Sequence, residues 1–227
     1  MISNFKKLDT LYSANYGTCP GFRDPFVSLF KDIQLIFHPS QITSSKNSAL
    51  VIWGGEDISP SLYNHKAIEG SGPEVPTHRD RVEEALVYTA IEYNMPIIGI
   101  CRGAELLCAL AGGSLIQHVT GHSGTHLMVE LKTGQIIPTN SYHHQMMNPF
   151  NIRHTLITKT LDPRSKVYKV DPTHPLLPGI QVEPEIVYFP EINGLAIQGH
   201  PEFKGPDGFL DYILNLTNRF LHDPSSL

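Results

Sequence analysis

The sequence has few of the features that mark secreted, membrane-bound or nucleic-acid-binding proteins. Its 227 residues include only three cysteines, an odd number that does not suit a disulfide framework and indicates a reducing compartment. No stretch approaches the roughly 18 apolar residues that cross a bilayer, and the N-terminus lacks the apolar core of a signal peptide. The net charge of −5 provides no basic surface for nucleic acid or anionic lipid. We therefore expect a cytoplasmic protein without direct nucleic-acid or membrane partners.

The apolar segments that are present are short and alternate with helix-like segments, which is typical of an α/β fold with a parallel sheet. The length and the lack of a linker predict a single domain over residues 1–227. Helices are expected at 22–30, 77–94, 102–113 and 208–221, with Thr77 and Asp80 resembling an N-terminal cap. Strands are expected at 8–14, 32–39, 48–55 and 95–100, followed by less regular β-structure at 126–131, 166–170, 185–190 and 194–200.

Cys101 stands where a buried strand meets a helix, between Gly99 and Gly103. This G-x-C-x-G pattern is typical of a nucleophile elbow, in which the glycines permit a sharp turn and close backbone packing. The helix N-terminus is expected to favour the thiolate. Cys108 lies in the middle of an apolar helix, and we interpret it as core packing.

A base for this thiol is predicted at the end of a second buried strand. His200 follows the apolar run 195–197 and stands beside a glycine, and Glu202 is two residues further on. A carboxylate at this spacing can hold the imidazole in one tautomer and stabilise its charged form. The motif is weak alone, since a capped strand end would look the same, but with an elbow cysteine it forms a candidate triad.

Oxyanion donors are predicted from the Gly54–Gly55 turn, which follows a strand and can present unobstructed backbone N–H groups. The N–H of Arg102, directly after Cys101, is the second donor expected from the elbow geometry.

These segments occur in an order that resembles class I glutamine amidotransferases, and most closely the γ-glutamyl hydrolase (peptidase C26) branch, which includes enzymes that cleave γ-glutamyl-GABA. The motifs lie between about residues 48 and 203: GGEDISPSLY, the helix with Arg79, Asp80, Arg81 and Glu83, GICRG, GGSLIQ, NSYHHQ and GHPE. The resemblance implies a flavodoxin-like α/β/α sandwich with a mostly parallel sheet. It also implies a Cys101–His200–Glu202 triad, a γ-glutamyl thioester intermediate and no cofactor. It places Ser141, Tyr142, His143, His144 and Gln145 near the substrate.

The chain departs from this family pattern at three places. Glu105 stands where relatives have a glutamine that helps hold the amino-acid end of the substrate, Cys108 replaces an asparagine, and the segment between Gln117 and Asn140 is shorter. The implied substrate is glutamine or another γ-glutamyl amide. Released ammonia would pass to a separate synthetase, or the chain would trim γ-glutamyl conjugates alone. A non-catalytic regulatory protein that retains the fold is the alternative from a different class.

Twelve histidines raise the question of a metal site. His118, His122 and His126 are spaced four residues apart, but Gly121 and Gly124 would interrupt a helix that aligned them. Because no cysteine or carboxylate cluster accompanies them in the sequence, no metal site is expected.

Overall fold

The computed structural model describes residues 5–14, 24–43, 46–171 and 182–227. Cys19 lies outside these residues. The helix expected at 22–30 is wrong in its described part, where a three-residue 3-10 turn, Asp24–Phe26, is followed by a strand that begins at Phe30. Pro25 suits the turn, and its neighbour Phe26 is buried in the core instead of forming part of a helix face.

A nine-stranded sheet forms the centre of the molecule, in the order β2-β1-β3-β4-β13-β12-β10-β7-β8. The first five strands in this order are parallel, and the others extend the sheet through antiparallel pairs. Two small sheets pair β5 with β9 and β6 with β11. The strands are β1 Leu8–Ala14, β2 Phe30–Ile36, β3 Ser48–Ile52, β4 Ile97–Ile100, β5 Ser114–Ile116, β6 His118–Val119, β7 Ser123–Glu130, β8 Ile136–Tyr142, β9 Met146–Asn148, β10 Thr155–Thr160, β11 Tyr168–Lys169, β12 Pro184–Phe189 and β13 Gly194–Ile197.

Helices cover both faces of the parallel strands. The first two are α1 (His78–Glu92) and α2 (Arg102–Leu110), and the third is α3 (Phe209–His222). Strand β3 illustrates the two layers, because Leu50 and Ile52 pack with α1 and α2 whereas Ala49 and Val51 pack with α3. The predicted cap of α1 is confirmed, since Thr77 and Asp80 exchange side-chain to backbone hydrogen bonds. The α/β class and the flavodoxin-like sandwich are thus confirmed.

The antiparallel half was only partly predicted. The expected β-segments 126–131, 166–170, 185–190 and 194–200 overlap β7, β11, β12 and β13, respectively. The strands β8 and β10 were missed because their sequences, IIPTNSY and TLITKT, are polar and include a proline or lysine. Pairing with β7 and β12 determines their conformation, and that pairing is not a local property of either segment.

Candidate functional site

Cys101 lies on a sharp turn between β4 and α2. Its backbone has φ 50° and ψ −110°, a conformation that few non-glycine residues adopt. A Cβ on Gly99 would lie 2.5 Å from the Gly103 carbonyl oxygen, and a Cβ on Gly103 would lie 2.2 Å from the Ile52 carbonyl oxygen. Both glycines are therefore required for the helix to pack this closely on the sheet, and the strand–turn–helix arrangement matches the predicted elbow.

The thiol of Cys101 is buried, with 5% of the residue exposed. Burial, and after it the charge of Glu105, raises the pKa of the Cys101 thiol well above its ordinary value, while the N–H of Arg102 acts in the opposite direction. The expected preference for thiolate at the helix N-terminus is thus outweighed by desolvation in the free protein. A base is needed to remove this proton.

Both the ring and the backbone of His200 are held by neighbouring residues. Its Nδ1 lies 2.8 Å from Glu202 Oε1, and its ring stacks on Phe203 with centroids 4.8 Å apart. Asn140 binds the backbone of His200 twice, accepting from its N–H at 2.7 Å and donating to its carbonyl at 2.8 Å. The rings of Tyr142 and His200 pack edge to face, with their centroids 5.9 Å apart. His200 Nε2 is buried and has no hydrogen bond within the described residues.

Gly54 lies next to both Cys101 and His200. A Cβ on Gly54 would lie 3.0 Å from Cε1 of His200 and 3.4 Å from Cβ of Cys101, so no side chain fits there without moving the imidazole. Arg79 holds this turn from the other side by donating to the carbonyls of Trp53 and Gly54 at 3.1 and 2.9 Å. The Gly54 carbonyl and the Gly55 N–H belong to one trans peptide and point in opposite directions. Because Arg79 binds the carbonyl, the N–H of Gly55 is directed away from Arg79.

The side chain of Arg102 is directed into the protein and not toward solvent. Its guanidinium binds Asp80 and Glu83 of α1, and all three side chains are almost fully buried. This network fixes the start of α2 against α1 and leaves the Arg102 N–H as the part of the residue near Cys101. A cavity of about 440 Å³ borders Arg102 and Asp57, although Cys101 does not line it.

Glu105 is buried in the first turn of α2, with 3% exposed. Burial, and after it the charge of Asp57, raises the pKa of Glu105 to about 8. At neutral pH the side chain is therefore mainly an uncharged acid, which can donate a hydrogen bond as an amide does. It accepts a hydrogen bond from Gln198 at 3.1 Å.

Asp57 and His144 form an ion pair near Glu105. The Asp57 carboxylate lies 3.0 Å from His144 Nε2, and this hydrogen bond raises the pKa of His144. Asp57 also acts on the pKa of the Cys101 thiol, which places its charge within electrostatic reach of the elbow.

The side chains of Ser141–Gln145, the segment predicted to lie near the substrate, have different surroundings in the structure. Tyr142 contacts His200 and is 57% exposed, but the Ser141 hydroxyl is buried and donates to the His122 carbonyl at 2.9 Å. The His143 ring packs on His122 with centroids 4.6 Å apart, and burial lowers the pKa of His143 well below its ordinary value. Both polar atoms of the buried Gln145 amide are without a hydrogen bond among the described residues.

A group of side chains able to bind a metal lies behind this segment. It consists of His122, His126 and Glu185, all buried, with potential ligand atoms within 4.8 Å of one another. The sequence analysis expected Gly121 and Gly124 to interrupt any helix that aligned these histidines, and it found no carboxylate cluster beside them. In the structure His126 lies on strand β7, and a carboxylate is brought to the histidines by Glu185 of the distant strand β12.

Three residues of the site were not identified from sequence. Asn140 and Phe203 position His200, and Asp57 lies close to Glu105 and Cys101. Each of these residues lies within or next to one of the sequence motifs. The sequence alone, however, does not indicate which group each side chain contacts.

Comparisons with known proteins identify the family of the chain. The family model described as peptidase C26 matches residues 40–185, a segment that ends before His200 and Glu202. The glutamine amidotransferase-like protein YvdE of Lactococcus lactis is 33% identical over 153 residues, which is 55% of this chain and 64% of that protein. Protein NtpR of Enterococcus hirae is 31% identical over 197 residues, covering 77% of this chain and 72% of NtpR.

A solved structure described as a GMP synthase protein of Thermoplasma acidophilum has the same fold. Its TM-score is 0.60 at 15% identity, with 97% of this chain and 96% of that chain covered. No helix within the described ranges is long and apolar enough to cross a membrane. The chain belongs to the peptidase C26 family of class I glutamine amidotransferase-like proteins.

Proposed function

We propose that the chain hydrolyses a γ-glutamyl amide, with Cys101 as nucleophile, His200 as proton carrier and Glu202 as the group that orients His200. The observation that carries this proposal is the convergence of Cys101 and the His200–Glu202 pair at Gly54. A strained turn, a cysteine and a carboxylate-bound imidazole in one place are the parts that covalent acyl transfer requires.

The reaction begins with the neutral thiol, because burial raises the Cys101 pKa. His200 Nε2 removes the proton as Sγ attacks the carbonyl carbon. The C–N bond then breaks and the leaving nitrogen takes the proton from His200, which leaves a γ-glutamyl thioester. Water attacks the thioester with His200 again as base, the C–S bond breaks, and the proton returns to Sγ.

The oxyanion formed in each step is stabilised by backbone N–H groups. Arg102 contributes one, and the Gly54–Gly55 turn contributes the other. Support comes from the Arg102 N–H, which already acts on the Cys101 sulfur, and from Arg79, which holds the turn rigidly. Donors fixed in advance need no reorganisation during the reaction, and the loss of one typically costs about 10²–10³ in rate.

The Asp57–His144 pair suits the amino-acid end of a γ-glutamyl group. The carboxylate attracts the α-ammonium and the imidazolium attracts the α-carboxylate, while uncharged Glu105 takes the place of the glutamine found in relatives. The first candidate substrate is glutamine, whose ammonia would be passed to a separate synthetase.

The proposal is tested by assaying purified protein with glutamine and with a panel of γ-glutamyl amides. We expect hydrolysis of at least one of them and, with hydroxylamine present, formation of the γ-glutamyl hydroxamate from the thioester. A higher kcat/KM for conjugates than for glutamine would indicate a stand-alone hydrolase. The absence of turnover on every amide would favour a regulatory protein that retains the fold.

The charge of Glu105 should control substrate affinity at alkaline pH. Because its raised pKa is about 8, the acid is neutral below that pH and ionised above it, where it repels the substrate α-carboxylate. We expect the ionisation of Glu105 to lower kcat/KM by about tenfold for each pH unit above 8. Glu105→Gln should remove that decline. Profiles from pH 6 to 9.5 measure the effect, with exposed Glu56→Gln as the matched control. Coinciding profiles in parent and Glu105→Gln would contradict the assignment.

Asn140 should act as a positioning residue for His200. Asn140→Leu removes both hydrogen bonds to the His200 backbone, and a displacement of about 1 Å can cost 10²-fold in rate. We expect kcat to fall by about 10–100-fold with little change in KM, and Asn140→Asp, which keeps the acceptor, to be less affected. Steady-state kinetics of folded variants, with exposed Asn215→Ala as control, provide the measurement. An equal loss through KM alone would assign Asn140 to substrate binding instead.

A further inference from the structure

A second polar cluster, outside the residues of the proposed reaction, lies where β10 ends. In the sheet β10 separates β7 from β12, but it stops at Thr160 opposite Met128. Near that end, side chains that belong to or adjoin β7 and β12 contact each other. His126 Nε2 lies 2.7 Å from Glu185 Oε1, and His122 Nδ1 lies 4.0 Å from the same oxygen.

The cluster is buried but has unused hydrogen-bonding capacity. Within the described parts of the chain, Nδ1 of His122, Nδ1 of His126 and Oε2 of Glu185 have no hydrogen bond. These residues are 2%, 6% and 1% exposed, respectively. Buried polar atoms are costly to leave unpaired, and so many in one place indicate that something binds them.

The side-chain atoms that could coordinate a metal here are of the types that zinc-class ions prefer. Two imidazoles and one carboxylate form a common three-residue zinc set, with a fourth position left for water or another ligand. In a tetrahedral site the ligand atoms are about 3.3 Å apart, so the His126–Glu185 contact would widen slightly on binding. The unpaired Oε2 of Glu185 is an alternative donor on the same group.

An outer carboxylate orients His122. Glu183 Oε2 lies 3.2 Å from His122 Nε2, which leaves Nδ1 on the side of Glu185. Glu183 is itself held by the Tyr168 hydroxyl at 2.6 Å and the Ser165 N–H at 2.8 Å. A carboxylate on the far nitrogen of a metal-binding histidine is the usual arrangement around such sites.

The cluster is connected to the segment that approaches His200. The carbonyl of His122 accepts from the Ser141 hydroxyl at 2.9 Å and from the His143 N–H at 3.1 Å. The ring of His143 packs on that of His122. An ion bound by His122 would therefore restrain the backbone of this segment.

We propose that His122, His126 and Glu185 bind one divalent transition-metal ion of the zinc class, which ties β7 to β12 and fixes the Ser141–Gln145 segment. The site is distinct from Cys101, and its metal is structural. Metal binding requires neutral imidazoles, so affinity falls as the pH is lowered.

The test uses the untagged full chain carrying Cys101→Ser, so that the nucleophile thiol cannot serve as a ligand. After chelator treatment, the protein is titrated with Zn²⁺ or Co²⁺ and desalted. Elemental analysis should give one ion per chain, and Co²⁺ should give the visible absorption of a tetrahedral site without thiolate charge transfer. The melting temperature should rise with Zn²⁺.

Variants identify the ligands. Glu185→Gln and His126→Ala should weaken Zn²⁺ binding by at least tenfold, whereas His118→Asn, a nearby histidine whose ring packs on His144, should bind as the parent does. Circular dichroism checks folding, and His122→Asn replaces either variant that does not fold. Less than 0.1 ion per chain in the parent, or unchanged affinity in the folded ligand variants, would overturn the proposal.

Discussion

Cys101→Ala should lower kcat/KM for γ-glutamyl amide hydrolysis by about 10⁴-fold or more, because the members of a triad act as a unit. The expectation follows from the turn at φ 50°, at which the Arg102 N–H acts on the sulfur and Cβ of Cys101 lies beside Gly54, as the His200 ring does. A glutamine-like chloroketone should label Cys101 in the parent protein. Steady-state kinetics and mass spectrometry of the labelled peptide provide the measurements.

Cys108→Ala is the matched control for this experiment. Cys108 lies on the same helix but is fully buried, contacts the Ser114 carbonyl at 3.4 Å and has a pKa raised to about 12 by burial. Its removal should leave kcat/KM within about threefold of the parent, at a cost in stability of about 1 kcal/mol or more from the cavity created. Near-normal turnover in folded Cys101→Ala would refute the proposed mechanism.

His200→Asn should be nearly as damaging as loss of the nucleophile, with kcat reduced by about 10³–10⁴-fold. The variant removes the buried Nε2 that accepts the thiol proton in the proposed mechanism, and burial raises the Cys101 pKa, which disfavours the thiolate when no base is present. Glu202→Gln should have a smaller effect, since Asn140 and Phe203 still hold the imidazole.

The size of the loss in kcat separates the two roles. Glu202→Gln removes the carboxylate 2.8 Å from His200 Nδ1 but keeps Nε2, so at one fixed pH it should retain more kcat than His200→Asn. Exposed Glu191→Gln, whose carboxylate pairs with Arg153 on the surface, is the control for loss of a surface charge. A His200→Asn variant that is folded and retains a tenth of the parental kcat would remove His200 from the mechanism.

Local sequence was sufficient where the structure depends on neighbouring residues. The turn at Cys101 could be predicted because Gly99 and Gly103 are adjacent to it, and because β4 and α2 have strong apolar patterns. The pairing of His200 with Glu202 could be predicted for the same reason, since they are only two positions apart. The α/β class followed from the alternation of short apolar strands with helices.

Contacts between distant segments were decided by the tertiary structure alone. The strands β8 and β10 are polar in sequence and form only because β7 and β12 pair with them. Burial beside Asp57 sets the ionisation of Glu105, which in sequence was simply a carboxylate.

The same holds for the groups that position the site and for the proposed metal ligands. Asn140 forms hydrogen bonds with His200, 60 positions away in the sequence, and His126 contacts Glu185, 59 positions away. Spacing along the chain identifies residues that share a turn, but side chains brought together by strand order are determined by the sheet. The sequence therefore determined the elbow and its neighbouring His–Glu pair, whereas the packing of the antiparallel strands determined what holds His200 and where His122, His126 and Glu185 meet.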